Sequence, residues 1–215
     1  MKVERFVLGP FGTNTYVVSD DDGKVLLIDP ACYTPYEQQQ LYRYISNIKS
    51  QISNFKLSIV ATHGHLDHLW GAKWATETWG VPVLMHEADI PMAKAMQQQY
   101  DMFGIRATAE PFLIEPLNED KFSIFNFQLS IIETPGHTPG SICLYFNDQL
   151  QISNHKSPIL ISGDTLFRMG YGRTDLPGGD MGQLIDSLER LFALPADTVV
   201  YPGHGDFTTI GAERR

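Results

Sequence analysis

Thr62-His63-Gly64-His65-Leu66-Asp67-His68 gathers three imidazoles and one carboxylate within a single short turn of chain. It follows directly on an apolar run, Leu57 to Ala61, that reads as a buried strand. One histidine on an apolar face is usually a satisfied core residue, whereas three beside an aspartate at alternating spacing point to a metal site. Where an extended chain leaves a sheet, residues two apart point the same way, so His63 and His65 can grip one ion. Asp67 and His68 then face the next position.

Upstream of this stretch, Val3 to Leu8, Thr15 to Ser19 and Lys24 to Ile28 read as short strands of a meander, punctuated by Gly9-Pro10 and by Asp20-Asp21-Asp22-Gly23. Leu41, Tyr44, Ile45 and Ile48 recur at helical spacing within Glu37 to Ser50. Downstream, Leu69 to Trp79 reads as a second helix, Val81 to Met85 as a strand, and Glu87 to Phe103 as a third helical segment. The second half repeats the logic. Phe122 to Phe127 pairs with Gln128 to Glu133, and Ser141 to Phe146 and Pro158 to Ser162 are further strands. Gly182 to Leu194 is a helix, and Thr198 to Tyr201 is the closing strand. Two β-rich halves with outer helices predict an α/β chain of two sheets packed face to face with helices outside.

The chain has 215 residues and is 43% hydrophobic, enough to bury a full core, and no low-complexity linker divides it, so residues 1–215 are expected to form one domain. A formal net charge of -9 argues against a phosphate-binding surface and therefore against a nucleic-acid partner. Two cysteines, Cys32 and Cys143, are too few for a disulfide framework and fit a reducing, cytoplasmic setting. No apolar run is long enough to span a membrane, and the first residues lack the apolar core of a signal peptide. Oligomeric state is not readable from composition.

Two more histidines sit on shaped turns at predicted strand ends: His137 in Thr134-Pro135-Gly136-His137-Thr138-Pro139-Gly140, and His204 in Tyr201-Pro202-Gly203-His204-Gly205. A side chain on a Gly/Pro turn is rigidly aimed, as a ligand needs to be. Asp164, in Ser162-Gly163-Asp164-Thr165, ends a buried apolar strand, where a carboxylate calls for a cation. Asp29, before Pro30, suits either of two roles, orienting a ligating imidazole or capping a turn.

The set His63-x-His65-x-Asp67-His68, then His137, Asp164 and His204, resembles the dinuclear site of the metallo-β-lactamase superfamily. The resemblance implies a four-layer αββα sandwich of two mixed sheets flanked by helices. It also implies two divalent ions, zinc first and iron or manganese as alternatives. His63, His65 and His137 would hold one ion, Asp67, His68 and His204 the other, with Asp164 bridging. Asp67 and Asp164 are then the carboxylates of the catalytic centre. The loop Gly170-Tyr171-Gly172-Arg173-Thr174-Asp175 is similar to that of glyoxalase II (hydroxyacylglutathione hydrolase), here in a short form. The implied reaction is hydrolysis of a small-molecule thioester by a metal-bridging hydroxide. Arg173 departs from that family's loop and, set between glycines at the rim, reads either as a substrate contact gripping a carboxylate or as a surface ion pair with Asp175 or Asp180. Persulfide dioxygenase, which shares the Gly-Arg-Thr-Asp loop and holds a single iron, is the alternative.

Overall fold

Strands β1 (Lys2–Leu8), β2 (Thr13–Ser19) and β3 (Lys24–Ile28) form an antiparallel meander, and β4 (Lys56–Val60), β5 (Val83–Met85) and β6 (Ile114–Pro116) continue from β3 as a parallel run, giving one mixed six-stranded sheet. The computed structural model describes residues 1–117, 129–152 and 155–214, and the chain divides into two units, Met1–Pro116 and Leu117–Arg215. The predicted strand Phe122 to Phe127 lies outside the described residues.

In the first unit the switch from meander to parallel pairing is made by helix α1 (Pro35–Gln51), the crossover that returns the chain to β4. Its start is encoded locally. Thr34 accepts the Glu37 N–H at 3.3 Å, the Glu37 carboxylate accepts the Thr34 N–H at 2.8 Å, and Pro35 occupies the first turn. Val17, Val25, Leu27, Ile59 and Val83 pack with Leu41 and Ile45 of α1 in one apolar cluster. On the opposite face of the same strands Tyr16, Val18, Leu26, Ile28 and Val60 are at most 1% exposed. Strands buried on both faces explain why β3 and β4 read as continuous apolar runs rather than alternating ones.

Two helices expected to be continuous are broken. Leu69 to Trp79 resolves into α2 (Leu66–Leu69) and α3 (Ala72–Trp79) because the Gly71 N–H leaves the helix to donate to the Pro30 carbonyl at 2.7 Å. Gly71 has no alternative: a β-carbon there would stand 2.2 Å from the Cys32 sulfur. Glu87 to Phe103 becomes a 3₁₀ turn (Glu87–Asp89), α4 (Ile90–Lys94) and α5 (Met96–Met102), parted at Ala95. No helix among the described residues is long and apolar enough to cross a membrane.

The second unit is built on β7 (Leu129–Glu133), β8 (Ile142–Ile152), β9 (His155–Gly163), β12 (Val199–Pro202) and β13 (Thr208–Thr209), ordered β13-β12-β9-β8-β7 with only β12 and β9 parallel. A small hairpin of β10 (Leu166–Phe167) and β11 (Gly170–Tyr171) follows β9. Helix α6 (Met181–Phe192) lays Leu184, Leu188 and Leu191 against Cys143, Leu160 and Val200, while α7 (Ile210–Glu213) adds Ile210. Asp180 caps α6 by accepting the Gln183 N–H at 3.0 Å. Each unit is thus one mixed sheet with helices packed on it.

Neighbouring residues on α6 make the burial argument testable. Leu184 is 0% exposed and Ile185 is 50% exposed. Leu184→Ala is expected to lower the unfolding free energy by about 2–5 kcal/mol, and Ile185→Ala to change it by less than about 0.5 kcal/mol, both read from denaturant midpoints.

Candidate metal centre

In the first unit the candidate ligands leave the sheet at the carboxyl ends of adjacent parallel strands, the usual seat of a site in such sheets. Asp29 follows β3 and the 62–68 loop follows β4. Asp29, 1% exposed and held at φ 52°, is the hub of this end. Its Oδ1 accepts the Thr62 N–H at 2.7 Å, and its Oδ2 accepts the Thr62 hydroxyl at 2.7 Å and the His68 Nδ1–H at 2.9 Å. Because the Thr62 hydroxyl spends its proton on Asp29, it can only accept from His63 Nδ1, 3.1 Å away. The His63 ring lies 4.9 Å from that of His65, nearly perpendicular, and 4.1 Å from that of His68. Asp67 Oδ2 accepts the Thr13 hydroxyl at 2.8 Å and lies 3.6 Å from His68 Nε2.

The loop is clamped from outside. Asp89, fully buried after β5, accepts the Gly64 N–H at 2.8 Å. The Gln99 amide accepts the Leu66 N–H at 2.9 Å and donates to the Gly64 carbonyl at 3.0 Å.

In the second unit Asp164 stands between two imidazoles, its Oδ2 lying 3.6 Å from His137 Nε2 and 3.5 Å from His204 Nε2. His137, Asp164 and His204 follow β7, β9 and β12. Their turns are tied together: the Thr134 and Thr165 hydroxyls meet at 2.9 Å, and the Gly203 N–H donates to the Gly163 carbonyl at 2.7 Å. Gly136, at φ 136°, lets the Pro-Gly-His turn press on α6, since a β-carbon there would sit 2.4 Å from the Leu184 backbone. His137 Nδ1 lies 2.7 Å from the Arg173 carbonyl, an acceptor only, so that nitrogen carries the proton.

The donor chemistry fits a metal. His63, His68 and His137 each spend Nδ1–H on an oxygen, so in the neutral ring the lone pair sits on Nε2, the orientation that supporting hydrogen bonds impose on metal-ligating histidines. At His68 and His137 that lone pair faces a carboxylate oxygen 3.6 Å away, two acceptors that need positive charge beside them. Asp29, Asp67 and Asp89 are buried around one loop, and buried carboxylates call for a cation. Each of the seven sequence candidates, His63, His65, Asp67, His68, His137, Asp164 and His204, belongs to a group of three donors able to hold a metal ion.

Arg173 is placed differently. Its guanidinium forks onto Asp175 at 2.6 and 2.7 Å, while its backbone carbonyl holds His137. The guanidinium keeps the Asp175 carboxyl down at about 2, so the pair stays ionised until the pH falls through that value. Burial pushes the Cys143 thiol up to about 11 and the Cys32 thiol to about 12, which removes both as nucleophiles. Thr13, Thr62, Asp89 and Gln99 carry no sequence signal of their own; only the pairing of Asp29 with a histidine-rich strand end hinted at supporting acceptors.

A family model described as the metallo-beta-lactamase superfamily matches residues 8–204. A protein described as a probable metallo-hydrolase from Bacillus subtilis is 35% identical, the match covering 100% of this chain and 95% of that one. The hydroxyacylglutathione hydrolase GloC of Haemophilus influenzae is 32% identical, over 100% of this chain and 96% of that one. A protein crystallised in a di-iron-bound form superposes with a TM-score of 0.80 at 32% identity, covering 99% of this chain and 97% of that chain.

Asp29→Asn keeps a residue type that tolerates positive φ but turns an amide N–H₂ toward Thr62 and His68. Metal affinity is expected to fall about 10- to 100-fold, measured by competition with a chromogenic chelator, with the far-ultraviolet circular dichroism unchanged.

Proposed function

Because the chain belongs to the metallo-β-lactamase superfamily and has its α/β fold of mixed sheets with helices, we propose that it is a metal-dependent thioester hydrolase. In this reading His63, His65 and His137 hold one divalent ion, Asp67, His68 and His204 hold a second, and Asp164 bridges the two. Zinc suits this His/carboxylate set, as do iron and manganese. The observation that carries the reading is the common seating of His63, His68 and His137, each with Nδ1 held against an oxygen, which at His68 and His137 leaves Nε2 facing a carboxylate 3.6 Å away.

When bound, such ions supply a water acidified to near neutral pH and a seat for oxyanion charge. The chain's part is to position and to insulate. Thr13 fixes Asp67, Asp29 fixes His68 directly and His63 through Thr62, and the Arg173 carbonyl fixes His137. Burial of His63, His65, Asp67, His68 and His137 keeps bulk water from competing with these contacts. A thiolate departs with little help from a general acid, so a thioester suits a centre whose titratable groups already serve as ligands. The GloC relative, named a hydroxyacylglutathione hydrolase, supports this substrate class. Both cysteines are free, which fits action in a reducing cytoplasm. Arg173 is the anion contact in this reading, a substrate carboxylate displacing Asp175 from the guanidinium fork.

Asp164→Asn is expected to lower metal content from about two ions per chain, abolish hydrolysis of a thioester panel that includes S-lactoylglutathione, and leave the fold intact; full metal content and rate in that variant would refute the dinuclear assignment. Arg173→Ala is expected to raise KM about tenfold, roughly 1.4 kcal/mol, for carboxylate-bearing thioesters and to leave neutral ones unchanged. Steady-state kinetics on one substrate of each kind checks it.

A further inference from the structure

Three adjacent strands of the second unit bring polar groups to one buried point. Thr134 comes directly after β7, Cys143 stands near the start of β8 and Ser162 near the end of β9, with β8 lying between the other two. Thr165, on the turn beyond β9, completes the group, and all four residues are fully buried. Cys143 belongs to the apolar cluster of Leu160, Leu184 and Leu188, so the point lies inside the unit's core.

The direction of each hydrogen bond here follows from counting protons. Cys143 Sγ lies 3.4 Å from the Ser162 carbonyl, an acceptor only, so the thiol donates there. Burial keeps the thiol protonated, as this donation requires. With its one proton spent, Sγ can only accept from the Thr134 hydroxyl, also 3.4 Å away. That commits the Thr134 proton, so the Thr165 hydroxyl, 2.9 Å off, donates to Thr134. The Thr165 N–H donates to the same Ser162 carbonyl at 3.1 Å, which closes the ring.

This ring reaches His137 from both sides. Thr134 opens the Pro-Gly-His turn three residues ahead of the imidazole. Thr165 directly follows Asp164, and its carbonyl accepts the Gly172 N–H at 3.3 Å, next to Arg173, whose own carbonyl holds His137 Nδ1. Asp164 Oδ2 and His137 Nε2, 3.6 Å apart, are therefore carried on two turns that the ring fastens to each other.

Core filling alone does not call for these groups. Valine has the shape of threonine, and a pair of valines at 134 and 165 would leave no hydroxyl to be satisfied. A buried polar network whose members are all satisfied instead rigidifies the elements that it joins, and the low dielectric of the core strengthens it.

We propose that the ring of Thr165, Thr134, Cys143 and Ser162 fixes the spacing of His137 and Asp164, with Thr134, Thr165 and Cys143 as positioning residues for the metal centre. The inference rests on the reading of His137 and Asp164 as metal ligands, and it gives Cys143 a role as a hydrogen-bonding link rather than as a nucleophile.

The test uses the full chain loaded with cobalt(II), whose visible spectrum reports ligand geometry. Affinity is read by chelator competition, and folding by far-ultraviolet circular dichroism. Thr134→Val is expected to weaken cobalt binding about tenfold and to change the visible spectrum, while Thr134→Ser, which keeps the hydroxyl, behaves as the wild type. Thr165→Val is expected to act in the same direction. The Thr134→Val/Thr165→Val double variant leaves neither hydroxyl unpaired, so it stays folded even where a single variant does not. Its loss of affinity should equal that of Thr134→Val rather than the sum of the two, because both substitutions break one ring. The infrared S–H stretch of Cys143, isolated by subtracting the spectrum of Cys143→Ala, reads the ring without metal: it should move to higher frequency in Thr134→Val and stay in place in Thr134→Ser. An unmoved S–H band overturns the ring. Wild-type cobalt affinity and spectrum in the folded double variant, or strictly additive losses, overturn the positioning role while the metal reading stands. A wild-type chain that takes up no cobalt refutes the metal reading, and the positioning role falls with it even where the S–H band moves.

Discussion

The carboxylate of Asp29 is the contact on which the rest of the first unit's chemistry depends. Three hydrogen bonds converge on its two oxygens, two from Thr62 and one from His68. Through the Thr62 hydroxyl its influence reaches His63, so one buried anion sets the proton position on two imidazoles. Its own backbone is equally constrained: the Asp29 carbonyl accepts the Thr15 hydroxyl, whose oxygen in turn accepts the Ala31 N–H, and the Asp29 N–H donates to Val60. A residue at positive φ, before a proline, persists only where its surroundings over-determine it. Here three strands do so.

The second unit solves the same problem with a neutral group. His137 is set by the Arg173 carbonyl rather than by a carboxylate, so the loop after Asp164 has to close back over the histidine. That closure demands a residue without a side chain at position 172, where a β-carbon would fall 1.8 Å from the Asp164 carbonyl oxygen. The orientation of one candidate ligand and the path of the loop that carries Arg173 are therefore a single structural fact.

What was legible in the sequence was what is local. The histidine loop announced itself because strand-end geometry and residue spacing coincide within six positions, and the Pro-Gly-His turns did so because their turn chemistry lies next to their histidine. The strands were legible because both faces of β3 and β4 are apolar. Asp29 stayed balanced between two roles because Thr62 and His68, which decide the matter, lie 33 and 39 residues away. Thr13, Asp89 and Gln99 are ordinary residue types made important by distant partners, and the break at Gly71 is caused by Pro30, a contact that no helical periodicity contains. Arg173 shows the converse: its motif context suggested a substrate contact, while the fork onto Asp175 comes from a neighbour two residues on.

The β10–β11 hairpin joins a fixed end to a permissive one. Gly172 admits no side chain, yet Gly170 has open space around its α-carbon and Met169 is 75% exposed. Variation at the tip can alter what the loop presents to solvent without passing the change back to Asp164 or His137. In design terms the hairpin separates a position that admits no side chain from a tip where Gly170 can be varied, while Met169, held at φ 62° with its N–H on the Glu213 carboxylate, keeps the turn in shape.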